Sequence, residues 1–424
     1  MRVTVIGGSL GGLSAALVLR DLGHDVTIYE RSPKPLEERG AGIGFMPETY
    51  RYLVERGGVD LDDISIVTDH LRHWDRSGTT IHDRPQRYRF SSWNTVYREL
   101  LRLFGTSQYL LGQEVATLDQ QGDVVHLTVE DVPIHATVNT RVNATTHTKA
   151  AGNTTTKDGP TRLSASIEAD LVICADGVGS KFRSQLIPGA EPVYSGYVAW
   201  RGIVPENELP TSITEQLTDA ITYMVFANSH ILVYPIPGID GSLKPGNRLL
   251  NFVWYRNYLP GGDFDDLMTA TDGVRRDVSM PPGAARTDHI AEMKATAHAR
   301  LPIALAAVVQ ATKQPFIQVV LDVEVPRMVF GRICLLGDSA WVARPHAAAG
   351  TAKAADDAWA LAESLSAHDT VDEALAVWQQ RQLRVGRQLV DRTRRIGTRS
   401  QQTCTWDPAD DEHLFGLLGP GLSS

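Results

Sequence analysis

The chain has 424 residues, 42% of them hydrophobic and 21% charged, with a formal net charge of -9. That length exceeds one small core and predicts two or three domains, or one large enzyme domain with a second layer grafted on. The acidic balance argues against a nucleic-acid-binding surface, and no apolar run is long enough to cross a bilayer.

Residues 3–6 (VTVI) predict a buried strand, a glycine cluster fills 7–12, and apolar spacing from Leu13 to Leu22 predicts a helix stopped by Gly23. Residues 25–30 (DVTIYE) predict a second strand, completing a βαβ unit of the kind that opens a doubly wound parallel sheet. Helices are expected over 47–56 and 94–104, with a charged, mixed segment between them. Alternating runs in 109–136 predict antiparallel strands. Residues 137–166, rich in Thr, Asn, Lys and Gly, predict a long exposed insertion, and 170–176 a buried strand. The runs YVAWRGIV, ITYMVF, HILVYPIP and LLNFVWY within 193–258 predict a mostly antiparallel sheet. Residues 288–313 read as helical, 316–325 and 328–336 as strands, and 351–367 and 371–396 as helices. Six arginines between Arg381 and Arg395 suggest a solvated helix face.

The fold class expected is α/β: a doubly wound dinucleotide-binding layer in 1–75, 94–190 and 316–424, split by a mostly antiparallel β-sheet substrate domain in 76–93 and 191–315. Cys174, Cys334 and Cys404 are distant and form no CxxC pair, so neither a disulfide scaffold nor a metal site is expected. The opening RVTVIGG lacks the pattern of a secretory leader. Both features predict a reducing, cytoplasmic setting.

Chemistry enters at Gly7-Gly8-Ser9-Leu10-Gly11-Gly12, where strand turns into helix. Close backbone approach, free N–H groups and a helix dipole make such a turn a phosphate cradle. Glu30, at the end of the next strand, stands where a carboxylate accepts ribose hydroxyls. The same glycines also suit a turn chosen for helix–strand packing.

Two further motifs follow. Residues 176–183 (DGVGSKFR) match DGxxSxxR, and Gly337-Asp338-Ser339-Ala340, trailed by Pro345, Gly350 and Asp357-Ala358, matches a GD motif with its helix. In order and spacing the three motifs resemble those of the para-hydroxybenzoate hydroxylase superfamily, the FAD-dependent aromatic hydroxylases. The resemblance implies FAD, with NADH or NADPH as a transient reductant and O2 as co-substrate. A small hydroxylated aromatic or hydroxypyridine ring would be hydroxylated through a flavin C4a-hydroperoxide. It places Gly7, Ser9, Leu10, Gly11 and Gly12 at the pyrophosphate, and Glu30 and Arg31 at the adenosine end. Asp338, after Gly337, would hold the ribityl chain or a pyrophosphate water. Asp176, Gly177 and Arg183 would lie near the pyrophosphate, Asp176 and Arg183 as a pair with either a cofactor or a structural role. Gly42 and Ile43 would run beside the isoalloxazine ring, with Phe45 or Met46 as a lid. Pro345, Ala348, Ala349, Gly350 and Thr351 would bring a helix N-terminus to the flavin pyrimidine.

The chain departs from the family pattern at Ser9, Ala348, Ala352, Trp341 and Tyr97, the last still assigned to the cofactor. Substrate-side candidates are Arg201, Tyr223, His230, Tyr234, Trp254 and His346. His346 suits a proton shuttle or a backbone-bonded histidine. His230 also fits a solvent-facing strand end, and Tyr223, Tyr234 and Trp254 also fit core packing. Other readings are a flavin epoxidase or dearomatising oxidase of a larger metabolite, and a silent FAD-binding ligand sensor. A homodimer is implied by the resemblance alone.

Overall fold

A computed structural model describes residues 1–37, 42–132 and 163–423. The chain opens with strand β1 (Arg2–Ile6), helix α1 (Leu10–Asp21) and strand β2 (Asp25–Glu30), with β1 and β2 parallel. Helix α1 starts three residues before the expected Leu13, so Gly11 and Gly12 lie inside its first turn. The elements that follow are β3 (Gly42–Gly44), α2 (Pro47–Glu55), β4 (Ile66–Trp74), β5 (Thr80–Ser92), α3 (Trp93–Phe104), β6 (Tyr109–Leu111), β7 (Gln113–Gln121) and β8 (Val124–Asp131). After 133–162, which lie outside the described residues, come β9 (Ser164–Ala169), β10 (Leu171–Cys174) and α4 (Lys181–Leu186). Strand β9 pairs with β8, so the end of the segment expected as an exposed insertion is sheet instead.

The β-rich half contains β11 (Val193–Pro205), α5 (Thr211–Leu217), β12 (Ala220–Phe226), β13 (Ser229–Ile236), β14 (Leu249–Asn257), α6 (Gly262–Leu267) and β15 (Ser279–Met280). Helices α7 (Thr287–Arg300) and α8 (Ile303–Ala311) replace the single helix expected over 288–313. Pro302 separates them, because it cannot supply an interior helix N–H. The chain continues through β16 (Phe316–Asp322), β17 (Val329–Phe330), β18 (Ile333–Leu335), α9 (Gly350–Ala367) and α10 (Val371–Thr398).

Three sheets result. The first has the order β17-β18-β10-β1-β2-β6, parallel except at the β17–β18 hairpin. The second, of nine strands, runs β15-β16-β11-β14-β13-β12-β4-β5-β3; the third is β7-β8-β9. Strands β3, β4 and β16 therefore belong to the large sheet, although 1–75 and 316–424 were expected in the dinucleotide layer. Strand β4 is drawn there by its hairpin with β5 and its parallel pairing with β12.

The large sheet has two unlike faces. Trp200, Phe252 and Trp254 turn to one side and pack on α5, α7 and α8. Tyr197, Tyr234, Val253 and Tyr255 turn to the other, toward the parallel layer. Strand alternation sets this division. Among the described residues no helix is long and apolar enough to cross a membrane.

Candidate active site

A cavity of about 1060 Å³ joins the parallel layer to the near face of the large sheet. One end is a groove lined by the β1–α1 turn, β3, Gly177, Gly337, Asp338 and the N-terminus of α9. The other is a chamber of aromatic and apolar side chains.

The groove separates the roles of the glycines. Gly7 has φ +99°, and a Cβ there would lie 2.4 Å from the Ala175 carbonyl oxygen. A Cβ on Gly12 would lie 1.9 Å from the Gly7 carbonyl oxygen. Both are required by close strand–helix packing, and neither lines the cavity. Ser9, Leu10 and Gly11 do line it. Ser9 is the extended N-cap residue of α1 and makes no side-chain cap bond, so the first-turn N–H groups carry no internal acceptor. Serine in this place therefore leaves the cradle open.

Glu30 is buried, and its carboxylate accepts from the N–H of Gly8 and of Ser32, both at 2.8 Å. It braces the turn from behind rather than lining the groove, whereas Arg31 does line it. The Asp176–Arg183 ion pair is absent. Asp176 accepts from Ser180 Oγ (2.7 Å) and Lys181 N (3.0 Å). Arg183, fully buried, donates to the carbonyls of Val178, Ala190 and Ser339 at 2.6–3.2 Å, clamping the DG loop to the GD loop. Only Gly177 of that motif reaches the groove. Tyr97 also stands behind the wall: its hydroxyl meets Tyr109 Oη at 3.1 Å and accepts from Leu36 N.

Asp338 points into the groove. It is open to solvent on the groove side, while desolvation by the groove walls pushes its pKa up to about 6, against the opposing charges of Lys353 and Arg183. Behind it, Asp357 accepts from Gly337 N at 3.0 Å and pairs with the buried Lys353.

Pro345, Ala348, Gly350 and Thr351 line the groove, while Ala349 is the buried N-cap of α9. Ala348 has φ +53°, the left-handed region that favours glycine, so its departure from the family residue preserves the backbone bend at the cost of strain. Trp341 and Ala352 are buried and do not line the cavity; a Cβ on Gly386 would fall 2.3 Å from the Trp341 ring. Gly42 and Ile43 line it as expected. The Gly42 carbonyl accepts from Arg201 Nη2 (2.8 Å) and Tyr234 Oη (3.0 Å), and its N–H donates to Asn251 Oδ1. Phe45 and Met46 form no lid: both are buried, Phe45 edge-on against Tyr50.

Arg201, Tyr223, His230, Tyr234 and His346 all line the cavity; Trp254 does not. The indole of Trp254 lies on the far face of the sheet and donates to Ser229 Oγ at 2.9 Å. Arg201 Nη1 donates to Gln318 Oε1 at 3.0 Å, so its hydrogen-bond acceptors are neutral, and among the described residues no carboxylate pairs with it. His346 Nε2 lies 2.7 Å from Tyr197 Oη. Arg344, which has only donors, approaches that same hydroxyl oxygen at 3.5 Å. Burial, then the neighbouring His230 and Arg344 charges, holds the His346 pKa well below its usual value. That favours a neutral, hydrogen-bonded imidazole, bonded to the Tyr197 hydroxyl rather than to backbone. His230 lies within β13, is buried, and stacks on Tyr255 (4.3 Å between centroids); a solvent-facing strand end is excluded.

Several lining residues escaped the sequence reading. Phe90, Tyr255 and Gln318 share the face of Arg201, Tyr223 and Tyr234, and on β14 the expected placement of Trp254 pointed to the wrong side of the strand. Trp406 and Phe415 come from the segment after α10. Arg392, expected on a solvated face, is buried and donates to the carbonyls of Glu412, Leu414 and Gly416, fastening that segment down.

Two helix N-termini and an acidic loop around one groove, opening on an aromatic-lined chamber beneath an antiparallel sheet, are the features of a flavin-dependent oxidoreductase. Residues 2–60 match the pyridine nucleotide-disulphide oxidoreductase family, and 194–322 match a family described as FAD binding domain-like. The chain is 35% identical to 2,6-dihydroxypyridine 3-monooxygenase of Paenarthrobacter nicotinovorans, over 98% of this chain and 96% of that protein. It is 26% identical to 6-hydroxynicotinate 3-monooxygenase of Pseudomonas fluorescens, over 86% and 82% of the two chains. The solved structure of 2,6-dihydroxypyridine-3-hydroxylase from Arthrobacter nicotinovorans superposes with a TM-score of 0.85 at 34% identity, covering 98% of this chain and 96% of that one. The chain belongs to the flavin-dependent aromatic hydroxylases.

Proposed function

We propose that the protein is an FAD-dependent monooxygenase that uses NAD(P)H and O2 to hydroxylate a hydroxypyridine or another small hydroxylated aromatic ring. The observation that carries this reading is the continuity of the cavity. A groove with free helix N–H groups is continuous with a chamber lined by aromatic and apolar side chains, a lining that suits a ring. The residues fit FAD. Leu10 and Gly11 would offer N–H groups to its pyrophosphate, Asp338 a carboxylate to its ribityl hydroxyls, and Gly350 and Thr351, at the start of α9, N–H groups to its ring. Bound FAD supplies the redox chemistry that activates O2 at the expense of NAD(P)H.

The chain's own residues then bind, orient and shield. Phe90, Tyr234, Tyr255 and Phe415 exclude water from the ring. The Arg201 guanidinium, which meets only neutral acceptors, supplies the positive charge that an ionised ring oxygen requires. His346 and His230 present neutral imidazoles to the substrate's polar edge. The three cysteines, none disulfide-bonded, fit a cytoplasmic setting, and a homodimer follows the family resemblance.

The test is a panel of hydroxypyridines and phenols, scored by substrate-dependent NAD(P)H oxidation together with hydroxylated product. Oxidation coupled to product with at least one small ring supports the assignment. A yellow protein that forms product with none of them overturns it.

A further inference from the structure

We infer that Gln401, at the far end of the chain, is a positioning residue that fixes His230 as the Nε2–H tautomer, making it a one-way hydrogen-bond donor to an oxygen of the substrate ring. The inference rests on the chamber being the ring-binding site.

The geometry is a directed chain of hydrogen bonds. Gln401 lies in a short π-helical turn (Arg399–Thr403) that ends α10; such turns recur at functional sites. Ser400 Oγ donates its proton to the Gly397 carbonyl at 3.3 Å, which leaves only a lone pair on that oxygen for Gln401. The Gln401 side chain therefore turns its NH2 group, not its carbonyl, toward Ser400 (3.4 Å), and the same NH2 meets His230 Nδ1 at 2.9 Å. An NH2 group can only donate, so Nδ1 must be unprotonated and the ring proton sits on Nε2. The Gln401 main chain is pinned as well, its carbonyl accepting from Asn257 Nδ2 at 2.7 Å. His230, Ser400 and Gln401 are all at least 99% buried, so none of these groups has bulk water as an alternative partner.

The groups around His230 reinforce its neutrality. Tyr255 from β14 stacks on it. His346 from the loop before α9 stands 5.3 Å away, Trp406 from the C-terminal segment 5.5 Å. His73 from β4 and His413 from the C-terminal segment lower its pKa further, after burial. No carboxylate is among these neighbours. Burial holds the His230 pKa down to about 3, which favours the neutral imidazole at neutral pH. A neutral imidazole with Nε2–H toward the chamber favours a ring oxygen that is anionic or carbonyl-like over one that must donate. That is the edge presented by a deprotonated hydroxypyridine or its lactam form.

The experiment uses FAD-loaded full-length protein with Gln401→Met and Gln401→Glu. Histidine-selective 15N NMR, with the His230 signal assigned from a His230→Gln sample, reads the tautomer directly. Substrate affinity is read from the perturbation of flavin absorbance between pH 6 and 9. The parent should show the Nε2–H form and no histidine-dependent step in affinity across that range. Gln401→Met, which has no donor, should give a mixture of tautomers and roughly tenfold weaker substrate binding. Gln401→Glu places an acceptor on Nδ1 and favours the imidazolium, so affinity for an anionic ring should acquire a pH dependence that strengthens toward acid. A parent His230 in the Nδ1–H form overturns the inference. So does wild-type affinity and pH profile in both variants, or loss of stability and flavin with the tautomer and profile unchanged. Parent protein that binds FAD but no ring compound would instead defeat the functional reading, and the NMR result would still decide the tautomer.

Discussion

Arg392→Met should open the chamber from its C-terminal side. The arginine is buried in α10, and its guanidinium donates to Gly416 O at 2.8 Å, to Glu412 O at 3.0 Å and to Leu414 O. Methionine keeps the apolar stem and removes every donor. A hydrogen bond to a charged group contributes about 1.5–3 kcal/mol, and a buried acceptor left alone costs about 1–3 kcal/mol. Relief of a buried cation, whose pKa burial already lowers, offsets part of the loss. The net destabilisation of the segment is then about 2–4 kcal/mol. The remaining ties are mostly more exposed: Arg395–Glu412, Arg399–Asp410, Arg399–Glu412 and Arg84–Asp411 are partly exposed pairs, the Trp406 indole N–H meets His73 Nε2 at 3.3 Å, and the Phe415 N–H donates to Tyr88 Oη at 3.0 Å. The loss should therefore appear first as local opening of 405–423, which carries Trp406 and Phe415, rather than as global unfolding. Limited proteolysis should cut the variant near its C-terminus while the rest of the fold stays resistant. KM for the ring substrate should rise, and NAD(P)H oxidation should become partly uncoupled from product as water enters. A variant as protease-resistant as the parent, with KM unchanged, would refute the fastening role.

Three other outcomes follow from the groove. Gly12→Ala places a Cβ 1.9 Å from the Gly7 carbonyl oxygen and should yield insoluble or flavin-free protein; a soluble yellow variant with parental melting would count against strand–helix packing as its reason. Ala348→Gly relieves a left-handed backbone that costs a side-chain-bearing residue about 1–2 kcal/mol, against about 0.4–1 kcal/mol of added unfolded-state entropy, so thermal unfolding should show a change between zero and a gain of about 1.6 kcal/mol, and a clear loss of stability would contradict the strain. The Asp338 pKa of about 6 lies above its unfolded value. Between the two the folded protein holds a proton that the unfolded chain has released, so stability of the flavin-free protein falls as pH rises through about 4 to 6. Asp338→Asn should flatten that part of the melting-temperature profile and weaken flavin retention; an unchanged slope and full retention would contradict its placement.

The parallel layer was legible because each of its signals is local. A glycine turn between a buried strand and an apolar helix can fold in few ways, and the DG and GD motifs stand at strand ends, where their loops meet. The sheet membership of β4 was hidden because His70, Arg72, Asp83 and Arg84 place polar side chains on a ribbon that pairs with β12, 150 residues later in register at His70 and Ala220. The chamber was half legible. Arg201, Tyr223, His230 and Tyr234 were found, but residue type alone does not say which face of a strand is wet, and so Trp254 was proposed while its neighbour Tyr255 was not. Trp406, Phe415 and Gln401 belong to a turn-rich tail with no periodicity, and only tertiary packing by Arg392 and Asn257 carries them to the site. Glu30, Tyr97 and Arg183 stand at their motif positions, and what the sequence did not show is that each also makes hydrogen bonds that brace the groove.

The most direct measurement is a crystal structure of the FAD-loaded protein soaked with 2,6-dihydroxypyridine. The pyrophosphate should lie on the N–H groups of Leu10 and Gly11, the flavin ring beside Gly42 and the start of α9, and the substrate ring between Arg201, His230 and Tyr255. A flavin bound anywhere else, or a chamber that stays shut to the ring while the groove is filled, would contradict a single cavity serving both.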